Sequence, residues 1–546
     1  MLNRATTIVV VASLAGCAVT DTGPDSVVAP SITHCPSLAS SVGIDGCEIV
    51  AVGDRNTMIV GTILAKDQVY TNGSLVIDAD GRIVEVGCDL ARDAFTTVLV
   101  CPAAIVSPGL INPHDHIWYN HRPPGKPTGE RYEHRHQWRL GLQGYTQPEY
   151  ERADSEEQLA WAEIRHALAG TTSIAGMAGV AGLVRNLDSD DLNGDLERAA
   201  AFTTVFPLGD AAGTMLADGC GYPELVDPAS FAAAGSFQAH VAEGVDANAQ
   251  NEVGCVMDLL SQGPGMPSAF VHFVAATAED AVALSENDIS VVWSPRSNIA
   301  LYGHTANVTL LDRLGVNIAL SSDWLPSGSM NMLRELSCAA DYSDTYLDGY
   351  FSYYDLWKMA TVNAARSFGL QDELGSIAPG YVADIAIFRD GPSTDPFTDL
   401  MHAADSDVLL VLRSGKALAG RASLVRALSA DCDTLPIELA CGEEIAVCVD
   451  SEFDGALAAT LAANQDSYAL MACGDVPDGE PTCTPSWPGQ FNGVVITGRD
   501  DDGDGVVNDV DNCPTVFNPP RPMDGGLQAD FDHDAAGDAC DENPLE

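Results

Sequence analysis

Between residues 105 and 372, short apolar runs of strand character alternate with longer stretches of helical periodicity, and few folds accommodate that order. The strand-like runs include "TTSIAGMA", "SFQAHV", "AFVHFV", "SVVWSP" and "NIALSSD", whereas "SEEQLAWAEIRHALAG" and "ANAQNEVGCVMDLL" carry helical spacing. "GLVRNLD" and "FTTVFPLG" are the weakest-patterned segments, assigned to the third and fourth strands. Such alternation predicts an α/β fold with parallel strands, and the length of the region predicts a (β/α)8 TIM barrel. β-rich patches flank it at 46–104 and 373–428, where the Asp80-Gly81 pair marks a hairpin. These two patches are expected to form one flanking β-sandwich.

The chain ends read differently. Residues 1–17, "MLNRATTIVVVASLAGC", join Arg4 to an apolar stretch too short to span a bilayer, followed by small residues. "LAGC" resembles a bacterial lipobox, which implies cleavage before Cys17 and a lipid attached to it. Ala18 in the next position is similar to lipoproteins sorted to the outer membrane. The expectation is an exported protein of the bacterial cell envelope, held to the membrane by this lipid anchor. Residues 18–45, rich in Ser, Thr, Pro and Gly, are expected to serve as a tether. Beyond Cys17 stand 14 cysteines, an even set that suggests disulfides in an oxidising compartment. The net charge of −52 excludes nucleic acid as a partner. From Asp431 onward there are 26 acidic and 2 basic residues, so the end of the chain reads as a separate Cys/Asp-rich module: a Cys-containing linker at 429–495, then an acidic tail at 496–546.

In a barrel of this kind, side chains at the C-terminal strand ends converge on one mouth. His114 and His116 end the first strand, "FQAHVAEG" supplies His240 and Glu243, "AFVHFVAAT" supplies His272, and "IALSSDWLPSG" supplies Asp323. Each taken alone has an ordinary packing role. Together, at the same end of separate strands, neutral imidazoles and a carboxylate suit one divalent transition metal, zinc first and iron as the alternative.

The order HxH, HxxE, His and "SSD", with "PGLINPHDH", "PRSN" and "MATVNAARSFGLQDELGSIAPGYVADIAIF", resembles the amidohydrolase superfamily, in its cytosine-deaminase-like and chlorohydrolase-like branch, over about residues 50–425. The resemblance implies that His114, His116, His240 and Asp323 hold the metal, and that Glu243, His272 and Asp323 are catalytic. It implies hydrolysis of a non-peptide carbon–nitrogen bond in a small molecule by a metal-activated water, of deaminase or cyclic-amidohydrolase type. The same water could attack a carbon–halogen or ester bond. A surface calcium-binding or adhesion protein with an inactive barrel is a third reading, and the intact ligand set argues against it. Binuclear members of the superfamily bridge their metals with a carbamylated lysine from the fourth strand. No lysine occurs between Lys126 and Lys358, so one metal is expected.

Substrate contacts are expected from Arg296, Asn298 and Trp324, with Tyr302 and His304 close by. The loop at 121–145 departs from the common pattern, carrying His121, His134, His136, Arg122, Arg131, Arg135 and Arg139. It reads either as a lid whose arginines clamp an anion or as a rigid connection whose arginines pair with acids. In the tail, "DGDGVVNDVDNCP" and "QADFDHDAAGDACD" resemble thrombospondin type 3 repeats, although His533, Ala535 and Ala536 depart from the Gly-rich spacing. That resemblance implies Ca2+ binding by Asp502, Asp504 and Asp511, then by Asp530, Asp532, Asp534 and Asp538, and pairing of Cys513 with Cys540.

Overall fold

A computed structural model describes residues 29–36, 46–91, 93, 95–194, 196–429, 432–448, 456–474 and 476–545. The export segment and Cys17 lie outside the described residues.

Eight short parallel strands position the chemistry. Strands β1 (Leu110–Asn112), β2 (Thr171–Ile174) and β3 (Arg185–Asn186) form one sheet. Strands β4 (Phe202–Thr204), β5 (Phe237–Val241), β6 (Ser268–His272), β7 (Ile289–Trp293) and β8 (Ile318–Leu320) form a second. Both weakly patterned segments therefore hold strands, each of only two or three residues, too short to show a period. Strands β5 to β8 are buried along their whole length, which is why they read as apolar runs rather than alternating ones. Backbone bonds cross between the sheets: Ala201 N–H donates to the Leu187 carbonyl (2.9 Å), and Asp115 and Asp323 form a parallel bridge. Helices such as Glu156–Leu168, Ala247–Ser261 and Ala278–Glu286 intervene, the last opened by a capping box between Thr277 and Asp280.

The two β-rich patches join in one eleven-stranded mixed sheet. Its spine is the strand Thr96–Pro108, which runs parallel to Asn56–Ala65 and, further along, antiparallel to Ile385–Arg389. Ile59, Leu75, Leu99, Ile385 and Leu410 share one apolar cluster, so the sheet curves around a core of its own. The tether expected over 18–45 is corrected at its described part. Ser31–His34 is a strand pairing with Gln68–Ile77, and the Cys35–Cys88 disulfide pins its end.

The separate tail is also corrected. Seven disulfides join the 14 cysteines beyond Cys17, the expected Cys513–Cys540 pair among them. Cys483 bonds Cys338 on the helix Met332–Tyr346, and Ile445–Val447 adds to the large sheet. Phe491, Val516 and Phe517 are buried in the same core cluster as β5 and β6 residues. Arg521, held by Asp524, donates to the carbonyls of Val274 (2.9 Å) and Ala276 (3.0 Å), and Met523 N–H donates to Val245 O (3.1 Å). Net charge suggested a detached tail, but a few apolar side chains and one arginine fasten it to the loops following β5 and β6. No helix among the described residues is long and apolar enough to cross a membrane.

One buried acid makes a stability prediction. Glu163 accepts from Asn186 Nδ2 and Val180 N, both at 3.0 Å, while its other oxygen has no partner. Burial pushes this carboxyl up to about 8. The folded state therefore keeps a proton that the unfolded chain releases near pH 4.5, and stability falls as pH rises from there to about 8. Glu163→Gln is expected to remove this group's share of that slope, gaining on the order of 1–3 kcal/mol over the parent at pH 8 and little at pH 5. Paired thermal melts at the two pH values check this; an equal slope in both proteins would refute it.

Candidate metal centre

Four side chains meet where β1, β5 and β8 end. Ligand atoms of His114, His116, His240 and Asp323 all lie within 4.8 Å of one another. Asp323 Oδ1 stands 3.1 Å from His114 Nε2 and 3.6 Å from His116 Nε2. Donors about 2.0–2.1 Å from a tetrahedral ion stand about 3.3 Å apart, so these separations fit a zinc-sized cation. Asp323 (φ 64°) and His272 (φ 77°) take left-handed backbone conformations that turn the chain sharply at the strand ends. Strain of that kind costs about 1–3 kcal/mol per residue and collects at functional sites.

Two of these imidazoles are held neutral. Burial lowers His116 to about 4, helped by His114, and holds His240 well below the usual range. His240 Nδ1 faces the Thr204 carbonyl at 3.4 Å, leaving Nε2 free. Burial resists ionisation of Asp323, but His272, His114 and His116 bring it down to about 2. Its second oxygen accepts from Ser297 Oγ at 2.5 Å. Asp115, between the two first-strand histidines, turns away from them. Asn112, Ser322 and Asn120 donate to it, which locks the β1 end to the β8 end.

Beside the ligands stand Glu243 and His272, with 3.7 Å between Glu243 Oε2 and His272 Nε2. The tautomer of His272 follows from its support. Trp293 Nε1 donates to Thr305 Oγ1 (2.7 Å), so that hydroxyl donates to Asn298 Oδ1 (3.2 Å). The Asn298 amide nitrogen then faces His272 Nδ1 at 3.0 Å, and the proton of His272 sits on Nε2, toward the pocket. Glu243 is 3% exposed; burial raises it to about 8 against the pull of Arg135, and Asp323 adds to the rise. Tyr302 hydroxyl donates to Glu243 Oε1 at 2.7 Å and accepts from Trp138 Nε1 at 2.8 Å. Backbone bonds fix the same segment: Arg135 N–H donates to Glu243 O, and Val245 N–H to Glu133 O. A Cβ on Gly244 would collide with that Glu133 carbonyl, so the loop requires glycine there.

A cavity of about 230 Å³ opens over this cluster, walled by Tyr119, Trp138, Tyr150, Phe206 and Trp324, with Arg139 at its side. Of the expected substrate contacts, Trp324 lines it. Asn298 acts one layer back, through His272. Arg296 does not reach it: the guanidinium is spent on Ser329, the Pro481 carbonyl and Glu480, because the chain beyond Cys483's partner helix packs over it. His304 likewise lies apart, between Trp487 and Phe491. Ser297, Thr305 and the aromatic wall other than Trp324 went unread in the sequence. Only Ser297, inside "PRSN", carried a motif-level signal.

Residues 237–418 match the Amidohydrolase family. A 5-methylthioadenosine/S-adenosylhomocysteine deaminase of Teredinibacter turnerae is 35% identical over 118 residues, 21% of this chain and 27% of that protein. The guanine deaminase of Escherichia coli is 30% identical over 148 residues, 27% of this chain and 32% of that one. The chain thus spans about a third of the length of these curated relatives. In structure, a zinc-bound adenosine deaminase from Xanthomonas campestris superposes with a TM-score of 0.50 at 16% identity, covering 76% of this chain and 98% of that one. At that identity the likeness concerns the fold.

Proposed function

We propose that β1 to β8 close into a (β/α)8 barrel whose mouth hydrolyses a non-peptide carbon–nitrogen bond in a small molecule, as a deaminase or cyclic-amide hydrolase. The observation that carries this is the convergence of His114, His116, His240 and Asp323 on one point, with Glu243 and His272 alongside. The deaminases among the similar proteins point the same way. A divalent cation held by those four residues, zinc by donor set, supplies the Lewis acidity that makes water nucleophilic near neutral pH.

The chain's own groups do the rest. Asp323, kept ionised, accepts the proton that water releases. His272 offers its Nε2–H to the polarised substituent on the attacked carbon. Glu243, holding a proton near neutrality and steadied by Tyr302, delivers it to the departing nitrogen. That proton favours nitrogen over halide as the leaving group, since an amine must be protonated to depart and a halide leaves as an anion. Purified without chelator, the protein is expected to carry about one transition-metal ion per chain and to release ammonia from at least one compound in a panel of aminopurines, aminopyrimidines and cyclic amides. Elemental analysis showing no transition metal would remove the proposal.

Two further readings accompany it. Calcium is assigned to Asp502, Asp504 and Asp511, joined by Asp500, and to Asp530, Asp532, Asp534 and Asp538. Oxygens of Asp500, Asp502 and Asp504 lie within 4.8 Å of one another, as do those of Asp530, Asp532 and Asp534. Asp502 is fully buried with one oxygen unpartnered. Attachment to the bacterial envelope through lipid on Cys17 rests on the sequence of residues 1–17.

A further inference from the structure

The arginines of the 121–145 loop divide into two kinds. Arg135 is wholly buried among acids: Asp210 Oδ2 lies at 2.6 Å, Glu252 Oε1 at 3.0 Å and Glu243 Oε2 at 4.0 Å. It neutralises internal acids and grips the Glu243 segment. Arg139, one helical turn on, lines the cavity and has no carboxylate within 4.0 Å among the described residues. Its guanidinium is held by uncharged partners instead. It lies 4.2 Å over the Phe206 ring, donates to the Ala211 carbonyl (3.3 Å), and donates to His136 Nδ1 (2.7 Å).

That last bond fixes the imidazole. An arginine only donates, so His136 Nδ1 is the acceptor and Nε2 carries the proton, which goes to Asp210 Oδ2 at 2.8 Å. Arg135, Asp210, His136 and Arg139 thus form a chain that ends in a positioned guanidinium on the wall of the pocket, which Glu243 and Asp210 attract only from a distance. In a chain with 78 acidic and 26 basic residues, a half-buried guanidinium on a cavity wall with no carboxylate in direct contact is open to one brought by a ligand. The other walls are aromatic faces, with Trp138 and Trp324 ring centroids 5.1 Å apart and Tyr150 5.1 Å from Trp324. Flat, apolar walls suit a planar ring. At about 230 Å³ the cavity falls below the roughly 300–1,000 Å³ of sites for drug-sized ligands, which leaves little room for a sugar or a long side chain.

We propose that Arg139 is a specificity-determining residue, and that the substrate is a small planar heteroaromatic ring bearing a carboxylate that this guanidinium receives. The inference rests on the carbon–nitrogen hydrolase reading of the same pocket and narrows its substrate class. Its test uses the full-length, metal-loaded protein and two matched pairs of probes: cytosine with cytosine-5-carboxylate, and purine with purine-6-carboxylate. Affinities are read from quenching of tryptophan fluorescence and from calorimetry. In the parent protein the acid of at least one pair is expected to bind about tenfold or more tightly than its neutral partner, the scale of one charge-assisted hydrogen bond. Arg139→Met should reduce that ratio to within about threefold with little change for the neutral probe, and Arg139→Lys should keep part of it. Circular dichroism confirms that both variants fold. Equal binding within both pairs, a preference that survives Arg139→Met, or no binding of any probe would each overturn the proposal. Ammonia release from the amino-bearing probes is scored separately: acids bound through Arg139 but no ammonia from any aminated compound would fault the reaction and not the recognition.

Discussion

His240→Ala is expected to lose its transition metal and at least about a thousandfold of its hydrolytic activity while remaining folded. The expectation follows from how the site is built. His240 sits at the end of β5 with its Nδ1 toward the Thr204 carbonyl, so its remaining nitrogen is left for the cluster with His114, His116 and Asp323, beside Glu243 and His272. Removing it leaves three donors, one of them a carboxylate that must then face two buried imidazoles without the ion that reconciles them. The packing cost is small, because His240 borders the cavity and the apolar cluster behind it is untouched. Asn298→Leu makes the graded comparison. It frees the His272 ring without touching a ligand, so metal should be retained while activity falls about ten- to a hundredfold. Elemental analysis and initial rates on the same preparations separate the two cases. Full metal content in His240→Ala, or full activity in either variant, would show that the cluster has been misread.

The reach of the sequence here has a physical pattern. His114, His116, His240, His272 and Asp323 were legible because strand ends in a parallel sheet put short, motif-like segments at one mouth, and those segments are local in the chain. What surrounds them is not local. Arg296 was expected in the pocket by its place after β7, yet its direction is decided by Glu480 and the Pro481 carbonyl, nearly two hundred residues away, on a segment whose path is set by the Cys338–Cys483 disulfide. The 121–145 loop was left open between a lid and a rigid connection. The structure divides its arginines: Arg135 pairs with acids, as the rigid-connection reading expects, while Arg139 lines the cavity. No spacing rule separates them, since they lie one turn apart on the same short helix. The detached tail failed for a similar reason. Charge dominates its composition, but attachment depends on Phe491, Val516, Phe517 and Arg521, four residues that composition averages away.

Calcium removal is expected to reach the active site through that attachment. The tail's carboxylates converge in two clusters, and without a cation the oxygens of Asp500, Asp502 and Asp504 repel one another in a buried setting. Relief comes by opening the loop around them, and the Cys513–Cys540 disulfide confines the damage rather than preventing it. Arg521 and Met523 lie between the two clusters in the chain, and they hold Val274, Ala276 and Val245. Those three carbonyls belong to the loops that follow His272 and Glu243. On the proposed mechanism, loosening them displaces Glu243 from the nitrogen it protonates, and a misplacement near 1 Å costs on the order of a hundredfold. Protein stripped of calcium at constant, measured transition-metal content should therefore show faster amide exchange at 498–512, 243–246 and 272–276 together, with activity down about ten- to a hundredfold and restored by added calcium. Arg521→Gln should uncouple the two responses: calcium would still protect 498–512, while 272–276 would exchange quickly whether or not calcium is present. If calcium changes exchange in the tail of the parent protein and leaves the loops after Glu243 and His272 and the rate unaltered, the tail is a passenger and the coupling argued from Arg521 is wrong.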